Sequence, residues 1–409
     1  CLCACPALRA APANGLEDVR IEGDNLVFRG HRPDAAVHLM ELPPWQPALT
    51  VEATGVVARI TQGPGFRLSL PRFEGRRDRL YSSFLLVSEA GGGTYEAVGT
   101  NRYVEGTAAI ARHPDPFPAT RSIKGLQVEM TEDALALGIR HGALNVNLSS
   151  LVDLAGRTNS LPWPVDGQPV FFHRGAVESL DRQVKRLSDA GVTVYLILLA
   201  YASGDAALNR IMLHPAYDPA APNRLGAFNT STPEGVRHFR ACLEFLADRY
   251  HRPGSPHGRA AGYILGNEVN SHWFWSNMGR VSMPVFAEDY LRAARLAHID
   301  ALAEAARRAK RQAEELELVG RCPRAVVEQF HAPRAHLRVM LVGKQFEPVV
   351  ERPHRAQEIM AETRAEQAGE IDRRDGHRWR LRRKARSFDR RRGRALGQAG
   401  VAVFRHHFR

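Results

Sequence analysis

Residues 261–277 read Ala261-Gly-Tyr-Ile-Leu-Gly-Asn-Glu-Val-Asn-Ser-His-Trp-Phe-Trp-Ser-Asn277. An apolar run leads into Gly266, Asn267 and Glu268, and a polar, aromatic loop follows. This pattern is typical of a buried strand that delivers a carboxylate to an open rim. One interpretation is a catalytic acid at the end of a barrel strand. The other is a structural carboxylate that caps a helix or pairs with an arginine, because ion-pair networks also use such positions.

Three strand-and-helix units precede this stretch, and one more helix follows it. The predicted elements are strand 125–130, a helix from the cap Thr131 to Gly138, strand 142–148, a helix through 177–187 closed by Gly191, strand 192–200, a helix from Pro233 after the cap Thr232, the opening stretch, and a helix over 283–308. Four βα units in succession imply a parallel sheet. A (β/α)8 barrel and an open doubly wound sheet both satisfy this order. Long polar loops after the second and third strands, without a glycine-rich phosphate loop, favour the barrel.

The chain before these units has a different period. Between residues 19 and 104, apolar and polar residues alternate and are interrupted by Gly and Pro, which predicts short antiparallel strands. We therefore predict an all-β, sandwich-like domain at residues 16–106, a proline-rich linker at 107–123, and the first half of a barrel at 124–308. The predicted fold class is α/β, of the (β/α)8 TIM-barrel type but incomplete, with an N-terminal sandwich-like domain.

The first residues and the cysteines bear on compartment and on metal binding. Residues 1–15 are small and apolar and end near an Ala-Pro-Ala triplet, which resembles the remnant of a secretory signal peptide and predicts a secreted or periplasmic protein. No apolar run reaches the roughly 18 residues of a membrane helix, so no membrane span is predicted. The five cysteines form neither a disulfide framework nor a zinc-ligand spacing, and Cys242 falls on the apolar face of a helix. No metal and no cofactor is predicted.

The net charge of +12 is confined to the end of the chain. Residues 307–409 carry 26 Lys and Arg against 13 Asp and Glu, whereas the residues before them carry 30 against 31. A nucleic-acid partner is therefore not predicted for residues 1–308. Residues 309–409 are basic and poorly patterned, and two interpretations are open. The first is a solvated tail or nucleic-acid arm. The second is translation in a shifted frame that begins between residues 303 and 321. We favour the shifted frame.

Five motifs resemble a bacterial family of secreted, glycoside hydrolase-like proteins that is classed as a domain of unknown function. They are residues 124–128, 141–148, 195–202, 222–229 and 266–275. The resemblance covers about residues 20–308. An Asn-Glu pair at the end of the fourth strand is also the acid/base signature of the clan A retaining glycoside hydrolases, so the resemblance implies Glu268 as general acid/base and a carbohydrate substrate.

The resemblance and the loop chemistry together give a set of candidate ligand contacts. Asn267 would bind the 2-hydroxyl of a sugar, and Trp273 and Trp275 would offer flat platforms to sugar faces. The remaining polar candidates are Asn145, Asn147, Tyr201, His272 and Asn277. For each of these a structural role in a loop or core is the alternative.

A retaining enzyme also needs a nucleophile, which the resemblance would place on strand seven. No glutamate after residue 308 ends an apolar strand, so no nucleophile is assigned and this chain is predicted to be inactive as a hydrolase. The alternative function is a non-catalytic carbohydrate-binding protein.

Overall fold

The structure is a computed structural model that describes residues 14–318 apart from 34, 47–54, 108–109, 111–116, 121 and 251–253, with side chains described up to residue 301. The predicted signal-peptide remnant up to residue 13, most of the predicted linker and the predicted tail beyond Leu318 lie outside the described residues. Within that part of the chain, no helix is long and apolar enough to cross a membrane.

The N-terminal part is built from antiparallel strands. They are β1 (Gly15–Glu22), β2 (Asn25–His31), β3 (Val37–Leu42), β4 (Val56–Ile60), β5 (Gly65–Pro71), β6 (Phe73–Glu74), β7 (Arg77–Asp78), β8 (Ser83–Gly91) and β9 (Thr94–Tyr103). One sheet has the order β1-β2-β5 and a second has the order β4-β3-β8-β9. Phe28 of the first sheet meets Phe84 of the second, with ring centroids 4.8 Å apart, and both are fully buried. The alternating pattern thus places one apolar face of each sheet in a shared core.

Strands and helices alternate in the rest of the described chain. They are β10 (Gly125–Gln127), α1 (Thr131–Ala136), β11 (His141–Asn147), α2 (Leu148–Leu151), β12 (Leu161–Val165), β13 (Gln168–Phe172), α3 (Arg174–Asp189), β14 (Thr193–Tyr201), α4 (Ala206–Met212), β15 (Leu225–Gly226), α5 (Pro233–Tyr250), β16 (Ala260–Leu265), α6 (His272–Trp275) and α7 (Met283–Leu318). The mixed α/β character predicted from the sequence is confirmed.

Four of these strands form a parallel sheet in the order of the chain. β10 pairs with β11, β11 with β14, and β14 with β16. An open doubly wound sheet reverses its order at a switch point, and these four strands show no reversal. We call them the half-barrel sheet, because the described residues contain four parallel strands and not a complete eight-stranded barrel.

The two faces of the half-barrel sheet have different environments. Leu144, Val146, Leu196 and Leu198 are buried towards the helices. The alternate residues lie on the opposite face, which we call the concave face because it is the one that would line a barrel. It is only partly covered: Asn145 is exposed, although Ile197 is buried. Side chains that alternate between the faces of a strand account for this division.

Helices α3 and α5 cover the sheet for reasons visible in the sequence. The apolar stripe of α3 is buried, and α5 begins at Pro233, where the missing N–H of proline costs nothing. Thr232 Oγ1 accepts from the Gly235 amide at 3.0 Å, as expected of the predicted N-cap. Cys242 of α5 is fully buried and free, which confirms its predicted core position, and burial raises the pKa of its thiol.

Several local predictions were wrong. Thr131 is the first residue of α1, and the N-cap Met130 makes no side-chain cap bond. The strand predicted to reach residue 130 ends at Gln127, and the helix predicted to end at 308 continues to Leu318. The proline-rich loop after β11 contains the hairpin β12–β13. Its Pro162 and Pro164 occupy alternate positions of a two-stranded ribbon, where an edge strand does not require their N–H.

Candidate functional site

The candidate residues converge on the carboxyl edge of the half-barrel sheet. Because β11, β14 and β16 are parallel, their last residues lie at one edge, with Asn147 opposite Leu199 and Leu198 opposite Leu265. Tyr201 ends β14, and Asn267 and Glu268 follow β16 at this edge. The structure therefore brings together the polar residues that the sequence places after three different strands, in the position that barrel enzymes use for their chemistry.

Glu268 has an unusual backbone conformation. It lies in the left-handed region, with φ 43° and ψ 44°, and precedes the 3-10 turn Val269–Ser271. Only one other non-glycine residue of the described chain, Asp166, has a positive φ. Such a conformation costs a bulky residue about 1–2 kcal/mol and persists where the surroundings impose it. The Glu268 side chain is exposed.

The turn that carries Glu268 is held by the first turns of α7. Tyr290 donates its hydroxyl proton to the carbonyl oxygen of Leu265, the last residue of β16, at 2.9 Å. Burial raises the pKa of Tyr290 to about 12, which keeps that proton in place. Phe286 stacks on the His272 ring on the other side of the turn, with centroids 4.6 Å apart. Both ends of the Glu268 turn are thus fixed to one helix.

Gly266 makes the close approach within this turn possible. Its φ is 73°, and a Cβ at this position would lie 2.8 Å from Val269 Cγ1. Val269 in turn packs against a small cluster that contains Phe286. Glycine is therefore needed at position 266 for a steric reason, which is separate from the chemistry of Asn267 and Glu268.

Asn277 and Asn147 have structural roles. Asn277 is fully buried; its Nδ2 donates to the Asp218 carbonyl at 2.7 Å and its Oδ1 accepts from the Gly279 amide at 2.8 Å. Asn147 Oδ1 accepts from the backbone of Ser149 and Tyr201, each at 3.2 Å. Both side chains are engaged in hydrogen bonds that hold loops together, so neither residue is assigned as a ligand contact.

Asn145 is different because it is exposed on the concave face. Its Oδ1 accepts from Gln127 Nε2 at 3.0 Å, so two neighbouring strands present a paired amide. Neither Gln127 Oε1 nor Asn145 Nδ2 takes part in this bond. Within the described residues, both atoms therefore remain for a ligand. Sequence reasoning missed Gln127. One feature of the sequence indicates this residue. Gln127 lies two residues after Gly125, and because side chains alternate along a strand, it is on the same face as the strand-end residues.

The two tryptophans occupy different environments. Trp275 packs, with Tyr201, against an apolar cluster of Ile197, Leu199 and Leu225 on the concave face. The ring of Trp273 is half-buried, and the Arg280 guanidinium lies over it at 4.1 Å from the centroid. One face of Trp273 is thus taken by a cation, while Phe274 between the two is 47% exposed.

The described residues contain no group of three or more His, Cys, Asp or Glu side chains that would hold a metal ion. Two of the predicted residues are accounted for by ring stacking and packing, His272 on Phe286 and Tyr201 in the concave cluster. The side chains that remain for a ligand are Asn267 and Glu268 at the carboxyl edge, and Asn145 and Gln127 on the same face of the sheet but further from that edge.

This geometry lies within a segment that has relatives. Residues 116–311 match a family of unknown function (DUF5722). The matched segment begins before β10 and includes every strand of the half-barrel sheet together with most of α7. A comparison with curated protein sequences gives no match.

Solved structures with a partial likeness include two carbohydrate-degrading proteins. One is a product complex of the multi-modular glycogen-degrading pneumococcal virulence factor SpuA, with 14% identity and a TM-score of 0.24 over 63% of this chain and 27% of that one. Another is the apo pullulanase from Paenibacillus barengoltzii, with 12% identity and a TM-score of 0.21 over 61% of this chain and 47% of that one. The chain thus spans less than half the length of either protein, and both likenesses are too distant to bear on its fold.

Proposed function

We propose that residues 124–318 are the first four βα units of a retaining glycoside hydrolase barrel, in which Glu268 is the general acid/base. The observation that carries this proposal is the place of Glu268. It follows the fourth strand of a chain-ordered parallel sheet, at the carboxyl edge, in a left-handed conformation, and Tyr290 of α7 donates to the last residue of that strand. Backbone strain of this kind is concentrated at functional sites.

The chain order of the strands supports a barrel over an open sheet. Each new parallel strand is added to the same side of the sheet, so that β10 and β16 are the first and last of the four parallel strands, while the two-residue strand β15 pairs antiparallel with the end of β14. Continued in the same way, further units would curve the sheet towards closure and cover its concave face. That face carries the half-covered cluster around Ile197 and Trp275, which is consistent with a surface that an additional layer covers.

The proposed chemistry assigns a role to each accessible group. Glu268 donates a proton to the glycosidic oxygen and later accepts one from water, while Asn267 binds the 2-hydroxyl of the sugar. Among the described residues, the bond between Gln127 and Asn145 leaves the Gln127 Oε1 acceptor and the Asn145 Nδ2 donor group for a ligand, and these match the hydroxyls of a sugar ring. Phe274, the exposed residue of the 272–275 helix, would contact an apolar sugar face.

A second carboxyl group, about 5 Å from the first, is required for retention of configuration. We assign no nucleophile in the described residues, and therefore expect this polypeptide to bind saccharide without hydrolysing it. Saccharide binding by the chain can be measured by isothermal titration with cellotetraose, xylotetraose, mannotetraose and maltotetraose. The expected result is binding to at least one of them that is weakened in Asn145→Ala. Asn25→Ala, at an exposed asparagine that begins β2, is the matched variant outside the ligand surface.

Catalysis has to be tested in a relative that shares the 266–275 motif and has four further strands. Substitution of the glutamate equivalent to Glu268 by Gln should abolish hydrolysis of aryl glycosides and leave saccharide binding intact. Unchanged turnover in that variant would refute the acid/base assignment.

The alternative is a non-catalytic carbohydrate-binding protein. The exposure of Glu268 is the observation that favours it, because a general acid is usually desolvated. It predicts that the relative with four further strands binds saccharide but shows no turnover before any substitution is made.

A further inference from the structure

A buried polar cluster joins the N-terminal sheets to the helices that cover the half-barrel sheet. Its members are Tyr81, Arg240 and Glu244 of α5, Asp300 of α7, and Trp163 and Asp166 of the β12–β13 hairpin. The exposed fraction is 0% for Asp300, 3% for Glu244 and 4% for Tyr81. Ionisable groups buried to this extent need partners for each polar atom.

Three acidic groups surround one guanidinium in this cluster. Arg240 lies 2.7 Å from Asp166, 3.3 Å from Glu244 and 3.5 Å from Asp300. Its guanidinium also stacks over the Tyr81 ring, 3.9 Å from the centroid. One positive charge cannot balance two buried carboxylates as well as Asp166, which is nearer the surface.

The hydrogen bonds show where a proton is needed. The Tyr81 hydroxyl donates to Asp300 Oδ1, and Trp163 Nε1 donates to Glu244 Oε2 at 3.2 Å. Asp300 Oδ2 is buried and has no donor in the described part of the chain. The carboxyl groups of Glu244 and Asp300 both lie against the Arg240 guanidinium, at 3.3 and 3.5 Å. Two buried carboxylates that share one cation do not both stay ionised, because their like charges repel and burial penalises each of them.

We propose that Asp300 and Glu244 share one proton, carried on Asp300 Oδ2, and that this proton holds Tyr81 and the N-terminal sheets against α5 and α7. The cluster then has the hydroxyl of Tyr81 and the indole of Trp163 as donors at its two ends and one neutral carboxylic acid between them. Loss of the proton leaves two charges buried against one arginine, so the contact between the sheets and the helices weakens in alkali.

The pKa directions agree with this arrangement. Burial, and then the neighbouring Glu244, raise the pKa of Asp300 well above its ordinary value. Burial raises the pKa of Tyr81 well above its ordinary value, so its hydroxyl stays a donor. Burial opposes the charge on Arg240, but the surrounding acidic groups more than offset it and raise its pKa.

The sign of the pH effect follows from the direction for Asp300. A carboxyl whose folded pKa is raised contributes stability that is fully present below the unfolded pKa, about 3.9, and is lost as the pH rises towards the folded pKa. Buried histidines act in the opposite sense. Burial lowers the pKa of His214, His238 and His298, so their contribution grows as the pH rises towards the ordinary histidine value. A comparison of variants that share these histidines isolates the shared proton.

The test is urea unfolding of the full chain between pH 5 and 9, followed by tryptophan fluorescence, for the wild type, Asp300→Asn and Glu244→Gln. We expect the folding equilibrium of the wild type to fall relative to each variant by up to tenfold per pH unit, the slope of one proton. Asp181→Asn is the matched control, because it removes a carboxylate outside the cluster and should leave the wild-type slope between pH 5 and 9 unchanged. Parallel curves for wild type, Asp300→Asn and Glu244→Gln would overturn the proposal.

A measurement on the wild type alone covers the case in which the variants do not fold. Infrared spectra in D2O at neutral pH should contain the carbonyl stretch of one protonated carboxylic acid, which disappears at alkaline pH together with slow hydrogen exchange in residues 79–83. A spectrum at neutral pH without that band means that both carboxyl groups are ionised and refutes the shared proton.

Discussion

The hydroxyl of Tyr290 donates to the carbonyl oxygen of Leu265 at 2.9 Å and so joins the first turns of α7 to the end of β16. Leu265 is the last residue before the Gly266, Asn267 and Glu268 turn. The bond spans 25 positions in the chain. It ties the end of the strand that carries the candidate acid to a helix that begins after the acid's loop.

Removal of this bond tests its contribution. Tyr290→Phe keeps the ring contact with Phe286 but loses the hydroxyl, so the free energy of unfolding should fall by about 1 kcal/mol. Hydrogen exchange of residues 266–271 should become faster, while that of β2 stays unchanged. Equal exchange in both proteins would show that Tyr290 does not restrain the turn.

The left-handed conformation of Glu268 predicts a stabilising substitution. Glu268→Gly relieves the steric cost of the positive φ and should raise the free energy of unfolding by about 0.5–1 kcal/mol, whereas Glu268→Val should lower it. Urea unfolding at pH 7 measures both. Asp166→Gly is the control at the other positive-φ residue, although it also removes an ion pair with Arg240. A Glu268→Gly protein less stable than wild type contradicts the assignment of strain.

The two kinds of asparagine at the site should differ in stability effects. Asn277→Ala leaves the buried Asp218 carbonyl and Gly279 amide without partners and should cost about 2–3 kcal/mol. Asn145→Ala removes an exposed amide and should change stability by less than about 0.5 kcal/mol. Chemical denaturation distinguishes them. A similar loss in both variants would mean that Asn145 is also structural and would remove it from the ligand surface.

A link between α3 and α5 predicts part of the acid sensitivity. Burial opposes ionisation of Asp181, but hydrogen bonds from Arg249 at 2.7 and 2.6 Å and from Tyr250 at 2.7 Å lower its pKa. A carboxylate with a lowered folded pKa contributes stability above its unfolded pKa, which is lost as the pH falls. Asp181→Asn should therefore be less stable than wild type at pH 7, and the difference should shrink below about pH 4. A constant difference from pH 7 to pH 2 would contradict this.

Much of the secondary structure was accessible from the sequence because its signals are local. Thr232 and Pro233 mark the start of α5, and the apolar run of β14 identifies a strand covered on both faces. The hairpin β12–β13 was missed because prolines argue against a strand unless the position of their N–H within a ribbon is known. Thr131 was assigned as a cap because it matches the preferred residue type, yet the chain turns one residue earlier.

The candidate site was predicted only in part. The residues at the strand ends lie together because parallel strands share a carboxyl edge. The order of strands and helices in the sequence is sufficient to predict this. The place of Gln127 in the site depends on the strand register, and that of Tyr290 depends on a contact across 25 positions. The periodicity of the sequence indicates neither. The burial of Asn277 and the exposure of Glu268 depend on which loops and layers cover the edge, and composition alone does not determine them.

The most direct test of the central claim is chemical rescue in a relative with the 266–275 motif and four further strands. With the glutamate equivalent to Glu268 changed to Ala, azide should restore turnover of an activated aryl glycoside and yield a glycosyl azide of retained configuration. Azide needs no general base, and in the second step it attacks the glycosyl-enzyme in place of water and displaces the enzyme carboxylate. Full activity of the variant without azide, or a product of inverted configuration, would contradict the assignment of Glu268 as the acid/base of a retaining hydrolase.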